Sequence, residues 1–79
     1  MKKSITILNR LISLGIINPV LYYSINVTVN KVQAQGRYNS DEIFRLRSKK
    51  IKWDYKLSES GFLVLKWKLI KFELEITFT

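Results

Sequence analysis

The stretch that decides the fold is Ile25–Arg47, INVTVNKVQAQGRYNSDEIFRLR. Around its first half, apolar and polar residues alternate, and a period of two places alternate side chains on opposite faces of a β-strand. The apolar residues in phase are Leu21, Tyr23, Ile25, Val27 and Val29. We therefore predict one long strand over residues 20–34. Gly36 ends it by permitting a close backbone approach or a positive φ.

The second half of the stretch contains the helix-start signal Asn39-Ser40-Asp41-Glu42. Ser40 can accept a hydrogen bond from an amide of the first turn, and the acidic residues complement the positive end of the helix dipole. Arg45 and Arg47 fall near the other end, where cations are favoured. These features predict a short helix over residues 41–48.

The residues before the stretch predict a helix over 4–16, because apolar residues recur there at helical spacing. Ser4 can cap its start, and Gly15 followed by Pro19 stops it. After the stretch, renewed alternation predicts three more strands, at residues 50–57, 62–70 and 71–78. The apolar phase switches at Ile70-Lys71, which implies a bulge or a bend without a glycine or proline signal.

These elements predict a single domain, residues 1–79, of the α+β class. We expect a mostly antiparallel sheet of about four strands, with the N-terminal helix and the short second helix on one face. Trp53 and Trp67 fall on the apolar faces of their strands, so we expect them in the core rather than stacked on nucleic-acid bases.

The composition is unfavourable for catalysis. The 79 residues include no cysteine, no histidine and six acidic residues, which show no metal-ligand spacing. Histidine is the usual general base and the commonest protein metal ligand, and no base is available to activate a serine or threonine. We predict that the chain is not an enzyme and uses no cofactor, metal ion or small-molecule substrate.

The net charge of +8 predicts a polyanionic partner, with nucleic acid favoured over an anionic membrane. Lys66 and Lys68 alternate with the apolar face of one predicted strand, and Lys52 and Lys56 do so on the strand before it. If these strands form a hairpin, their polar faces make one basic surface. Isoleucine and lysine are abundant and alanine is nearly absent, as an AT-rich genome such as that of an organelle would produce.

The segment Val32–Arg45 resembles the C-terminal domain of the small-subunit ribosomal protein S-three family. In that family a strand ends in Ser-Gly-Arg, and Ala-Glu-Ile-Ala-Arg opens a helix. The matching residues here are Gly36, Arg37, Glu42, Ile43 and Arg45. Ile51–Tyr55 is similar to the family's Ile-Asp-Tyr strand and Gly61–Ile70 to its closing strand. The departures are Asn39 and Ser40 in place of two turn glycines, and the lack of a preceding KH domain.

The resemblance implies a structural component of the ribosomal small subunit, in the head near the messenger entry path, located in the mitochondrial matrix or a bacterial cytoplasm. Its implied partners are ribosomal RNA, neighbouring small-subunit proteins, a separate chain carrying the missing N-terminal half, and messenger RNA. On this hypothesis the residues that contact ribosomal RNA are Arg37, Arg45, Arg47, Lys49, Lys50, Lys52, Lys66 and Lys68. Those that face messenger RNA are Lys2, Lys3 and Arg10.

Two other functions fit the same sequence. Basic residues precede the apolar run Leu11–Val29, and Val32-Gln33-Ala34 resembles a small-residue cleavage site, which together outline a secretory signal peptide over residues 1–34. The product would be an exported small basic envelope protein, although Asn18 and Pro19 interrupt the apolar run. The third alternative is a small nucleic-acid-binding protein of a phage or toxin system.

Overall fold

Five strands and two α-helices make up the described part of the chain. The structure is a computed structural model that describes residues 2–59 and 61–79, without the side chains of residues 2–4. In chain order the elements are α1 (Lys2–Ser13), a short 3-10 helix (Pro19–Leu21), β1 (Ser24–Val27), β2 (Lys31–Gly36), α2 (Ser40–Arg47), β3 (Asp54–Leu57), β4 (Leu63–Leu69) and β5 (Phe72–Phe78). The fold is α+β, as predicted.

The strands form one mixed sheet in the order β1-β2-β5-β4-β3. β2 pairs with β5 in parallel, and the other three pairings are antiparallel. The register places Ala34, Ile76 and Leu65 side by side across the three central strands, and all three are fully buried. This row forms the centre of the core. The prediction of about four strands is one too few, because it treats β1 and β2 as a single strand.

The long strand predicted over residues 20–34 is wrong. The segment contains a 3-10 helix and then a β-hairpin, in which the Thr28 amide donates to the Lys31 carbonyl at 2.8 Å and Val27 pairs with Val32. The alternation runs through the turn without a break, and neither glycine nor proline marks the reversal. The predicted phase is also wrong at the start of the segment, because Tyr22 is buried and Tyr23 is exposed.

The helix predicted over 4–16 begins and ends earlier, as Lys2–Ser13. Gly15 has a φ of +72°, and its amide donates to the Ile12 carbonyl while the Ile16 amide donates to the Leu11 carbonyl. This pair of bonds is a Schellman motif, which caps the carbonyl end of a helix with a left-handed glycine. Ser4, the predicted cap, lies inside α1, and its side chain is outside the described part.

The second helix begins one residue before the predicted range 41–48 and has a different cap. The Asn39 side chain accepts hydrogen bonds from the amides of Asp41 and Glu42, at 3.1 and 3.2 Å. Asparagine is as good an N-cap as serine, and the extended backbone of Asn39 puts its oxygen in place. Ser40 is the first residue of the helix instead of its cap.

The C-terminal half contains strands near the three predicted ranges. β4 and β5 are joined through Ile70-Lys71, so the switch of apolar phase marks a chain reversal between two antiparallel strands. β3 is shorter than predicted, because residues 50–53 are irregular. Trp53 is buried as expected: its ring donates to the Leu46 carbonyl at 2.9 Å and meets the half-buried Trp67 edge-on.

Candidate nucleic-acid interface

Glu42 and Arg45 form an ion pair within α2, and Arg45 also joins this helix to the end of α1. Glu42 is 3% exposed and accepts hydrogen bonds from Tyr22 Oη at 2.9 Å and from Arg45 Nε and Nη2 at 2.6 and 2.8 Å. Arg45 also donates to the carbonyls of Gly15 and Ile16. We call Tyr22, Glu42 and Arg45 the Glu42 cluster.

The pKa values in the Glu42 cluster follow from these contacts. Burial raises the pKa of the Tyr22 hydroxyl, and its hydrogen bond to Glu42 raises it further. The hydrogen bond to Glu42 likewise raises the pKa of Arg45. Tyr22 therefore stays a neutral donor and Arg45 a cation. Because the donors of Arg45 face the protein interior, this residue, predicted to contact RNA, has a structural role in the fold.

Gly36 is the point at which β2 passes closest to the segment before β1. A Cβ atom at this position would lie 2.8 Å from the Leu21 carbonyl oxygen and 3.0 Å from the Tyr22 ring. No other residue type fits without moving the backbone, because real Cβ atoms do not approach other atoms so closely. Of the two roles that the sequence allowed for Gly36, the structure shows the close backbone approach. Its φ is not positive.

The polar face of the sheet is not the uniformly basic surface that the hairpin argument predicted. Glu75 lies between Lys31 and Lys66, with N–O distances of 3.1 and 3.6 Å, and accepts a hydrogen bond from Gln33. Lys68 is opposite Glu73 in the register. Sequence reasoning placed β4 beside β3 but could not show that the acidic face of β5 lies along its other side.

The pKa of Glu75 reflects this environment. Its partial burial acts to raise the pKa, but hydrogen bonds from Lys31 and Gln33 and the charges of Lys31 and Lys66 outweigh that effect. The net shift is downward, so the carboxylate is held in its ionised form. Lys66 is therefore partly neutralised and is a weaker candidate for phosphate contact than the sequence indicated.

Most of the predicted basic residues that lack an ion pair in the described part of the chain lie in one segment, which runs from the last residue of α2 into β3. We call this the basic segment; its cations are Arg47, Lys49, Lys50, Lys52 and Lys56, and its one acidic residue is Asp54. Arg47 lies over the exposed ring of Tyr55, with 5.6 Å from Cζ to the ring centroid. Lys50 and Lys52 are exposed, and Lys49 is half-buried.

Two further groups of predicted contacts lie elsewhere. Arg10 is exposed on α1, away from the basic segment in sequence, and the side chains of Lys2 and Lys3 are outside the described part. Arg37 is exposed just after β2. Four of the predicted contacts, Arg47, Lys49, Lys50 and Lys52, therefore lie close together along the chain, and the others lie in other segments.

Arg37 lines a surface cleft that sequence reasoning did not identify. The cleft has a volume of about 620 Å³ and is lined by Tyr23, Arg37, Tyr38 and Thr79. The alternation places Tyr23 on the buried face of a strand, and no pattern in the sequence marks Tyr38. We call this surface the Arg37 cleft. Its only sequence signal is the aromatic residue next to an arginine, which is too common to indicate a site by itself.

Comparisons with family models, with curated proteins and with solved structures find no match to this chain. Within residues 2–59 and 61–79, no helix is long and apolar enough to cross a membrane. In the same residues no three metal-ligating side chains come together.

Proposed function

We propose that this chain is a structural, RNA-binding component of the ribosomal small subunit, with a fold like that of the C-terminal domain of the S-three family. The observation that carries the proposal is the basic segment, which holds five cations and one carboxylate over residues 47–56 and leads into the edge strand β3. Lysine and arginine side chains in such a group neutralise backbone phosphates without selecting a base sequence.

The distribution of acidic residues strengthens this charge argument. Glu42 forms an ion pair with Arg45, and Glu73 and Glu75 form ion pairs with lysines of the sheet. Half of the six acidic side chains are thus engaged inside the protein. The excess positive charge is therefore left on the outside, where a polyanion can meet it.

The residues of the resemblance also have identifiable structural roles. Gly36 allows the close approach of two backbone segments, and Glu42 with Arg45 fixes α2 against the end of α1. These positions constrain the fold, which is a physical reason for a family to share them. The order of α1, β2, Gly-Arg corner, capped α2 and closing strands agrees with the resemblance, whereas the β1–β2 hairpin departs from the single strand expected there.

The proposed function concerns the chain with residues 1–34 in place. Val32 and Ala34 are fully buried, and β2 is the parallel neighbour of β5. Cleavage after Ala34 would remove β1 and most of β2, and would expose one side of β5. Because this loss of strands would disrupt the sheet, we favour the ribosomal function over the exported envelope protein.

Sedimentation with purified small subunits tests the proposal. We expect the full chain to cosediment at low salt and to dissociate steeply as salt rises, because released counterions drive phosphate binding. The Lys50→Gln/Lys52→Gln variant should dissociate at lower salt than the wild type. Failure to cosediment, or an association insensitive to salt, would refute the proposal. Mass spectrometry of the native chain adds a second check, since a mature protein that begins at Gln35 would favour export.

A further inference from the structure

We propose that the Arg37 cleft binds an unpaired nucleotide of single-stranded RNA, with Arg37 on its phosphate and the rings of Tyr23 and Tyr38 against its base. The inference rests on the proposed function in that it takes RNA as the partner. It goes further because it assigns a separate site, a ligand class and a stacking role to residues outside the basic segment.

The backbone of the cleft is fixed by the end of the sheet. The Tyr23 amide, just before β1, donates to the carbonyl of Gln35 in β2 at 3.0 Å. The Tyr38 amide donates to the Thr79 carbonyl, and the Thr79 amide donates to the Gly36 carbonyl, at 3.0 and 2.9 Å. Both tyrosines are therefore held at their backbones while their side chains extend outward.

The two tyrosine rings are available to a ligand. Tyr23 is 61% exposed and Tyr38 is 66% exposed. Within the described residues neither ring stacks on another aromatic ring, and the one side-chain hydrogen bond of Tyr23 joins its hydroxyl to Thr79 Oγ1 at 3.3 Å. That bond fixes the edge of the ring and leaves its faces free. A ring held in this way loses little conformational entropy when a base stacks on it.

Arg37 is the charged side chain among the four residues that line the cleft. The Arg37 guanidinium is exposed and has no hydrogen bond or ion pair within residues 2–59 and 61–79. None of the side chains that line the cleft is acidic. Guanidinium groups bind phosphate through two parallel N–H donors, so an unpaired arginine next to aromatic rings fits a nucleotide better than it fits an apolar peptide.

The size of the cleft and the chemistry of stacking favour a single strand. A volume of about 620 Å³ lies within the range of small-molecule sites. A second depression of about 300 Å³ continues from it along Val20 and Leu21 and shares Arg37, so the surface extends beyond one nucleotide. Bases in a duplex are already stacked on each other, whereas unpaired bases can turn outward onto aromatic side chains.

The test compares the binding of a single-stranded oligoribonucleotide and of an RNA duplex to the full chain, by fluorescence anisotropy at fixed salt. We expect Tyr23→Leu/Tyr38→Leu to weaken single-strand binding roughly 5- to 150-fold, since that is the range for losing a base–aromatic stack. Duplex binding should change less than about twofold, because it depends on phosphate contacts. The Tyr23→Phe/Tyr38→Phe variant retains both rings and should bind like the wild type.

Ile70→Ala is the control, because Ile70 is also a large exposed side chain but lies in the β4–β5 turn, outside both the Arg37 cleft and the basic segment. We expect it to leave single-strand binding within about twofold of the wild type, because no base stacks on this side chain. Circular dichroism of each variant checks that the fold is retained, which the exposure of these side chains favours.

The outcomes separate this inference from the proposed function. If the wild type binds RNA but the double leucine variant binds the single strand equally well, the Arg37 cleft is not a nucleotide site and the ribosomal proposal stands. An equal loss in Ile70→Ala would also overturn the inference. If the leucine variant loses cosedimentation with small subunits while oligonucleotide binding is unchanged, the cleft contacts protein instead. If the wild type binds neither form of RNA, the proposed function fails as well.

Discussion

Arg45 and Arg47 lie two residues apart on α2, and their side chains reach different environments. Arg45 turns inward to Glu42 and to the carbonyls at the end of α1. Arg47 turns outward and lies over Tyr55. Two residues rotate a helix by roughly 200°, so neighbouring arginines of equal chemistry fall on opposite faces. The comparison shows that the partner of each cation is set by the helix face and not by the residue type.

The same contrast separates two regions of the molecule. In the Glu42 cluster, Tyr22 and Glu42 are buried, and each polar group has a partner inside the protein. The basic segment is mostly exposed, and its cations have no carboxylate partner in the part of the chain that is described. The first region should therefore govern stability and the second region binding. Each of the following variants tests that division, beginning with the largest expected effect.

Arg45→Ala should lower the free energy of unfolding by about 3 kcal/mol, because it leaves the buried Glu42 carboxylate without its cation. We take the low end of the usual range because the Arg45 side chain is about one-third exposed. Arg47→Ala, which removes an exposed cation, should cost less than about 1 kcal/mol. Urea unfolding of both variants measures the difference, and equal losses would remove the distinction between the two arginines.

Gly36→Ala should cost about 2 kcal/mol, because the new methyl group would meet the Leu21 carbonyl oxygen and the Tyr22 ring. Gly61→Ala is a useful comparison. Nothing lies within 4 Å of a Cβ atom there, but its φ of +84° is unfavourable for alanine and should cost about 1 kcal/mol. Thermal unfolding of the two variants ranks them. A neutral Gly36→Ala would mean that the segment before β1 is free to shift.

Lys50→Gln/Lys52→Gln should weaken RNA binding about tenfold at physiological salt and reduce the salt slope by roughly 0.7 to 0.9 for each phosphate that is no longer neutralised. Lys66→Gln/Lys68→Gln removes the same charge from the sheet, where Glu73 and Glu75 already offset it. We expect a smaller change in slope for this second variant. If the two pairs behave alike, the polar face of the sheet contributes to binding as much as the basic segment does.

The smallest effect should be the acid sensitivity conferred by Glu75. Its pKa is lowered in the folded protein, so the stabilisation is complete above the ordinary pKa of 4.5 and is lost as the pH falls through the lowered value. Glu75→Gln should flatten the stability profile in that acidic range and cost less than about 1 kcal/mol at pH 7. Glu59→Gln, at an exposed position in the β3–β4 turn, is the matched acidic-to-amide control.

Local signals in the sequence predicted some elements well. The acidic first turn and basic last turn of α2 predicted the bounds of that helix to within one residue, because caps and dipoles act over one turn. The change of apolar phase predicted the boundary between β4 and β5. The hairpin of β1 and β2 was missed because Val29-Asn30 continues the alternation through the turn. An apolar–polar alternation indicates which face of a strand is buried, but it does not indicate where the chain reverses.

The candidate sites also include features that the sequence predicted and features that it did not. The net charge and the run of lysines after α2 are visible in the sequence, and the structure leaves these lysines exposed or half-buried. The inward role of Arg45 was hidden, because its partners Gly15 and Ile16 are about thirty residues away along the chain. The Arg37 cleft was hidden for a similar reason, since Tyr23, Tyr38 and Thr79 come from three segments.

By itself, then, the sequence determined the α+β class, the positions of α2, β4 and β5, and the excess of positive charge, because these depend on neighbouring residues. Only the tertiary structure decided which charges are paired, which tyrosine of Tyr22-Tyr23 faces solvent, and why Gly36 cannot carry a side chain. These properties depend on the parallel pairing of β2 with β5 and on the packing of α2 against the end of α1. Such contacts join residues far apart in the chain, and local sequence patterns do not predict them.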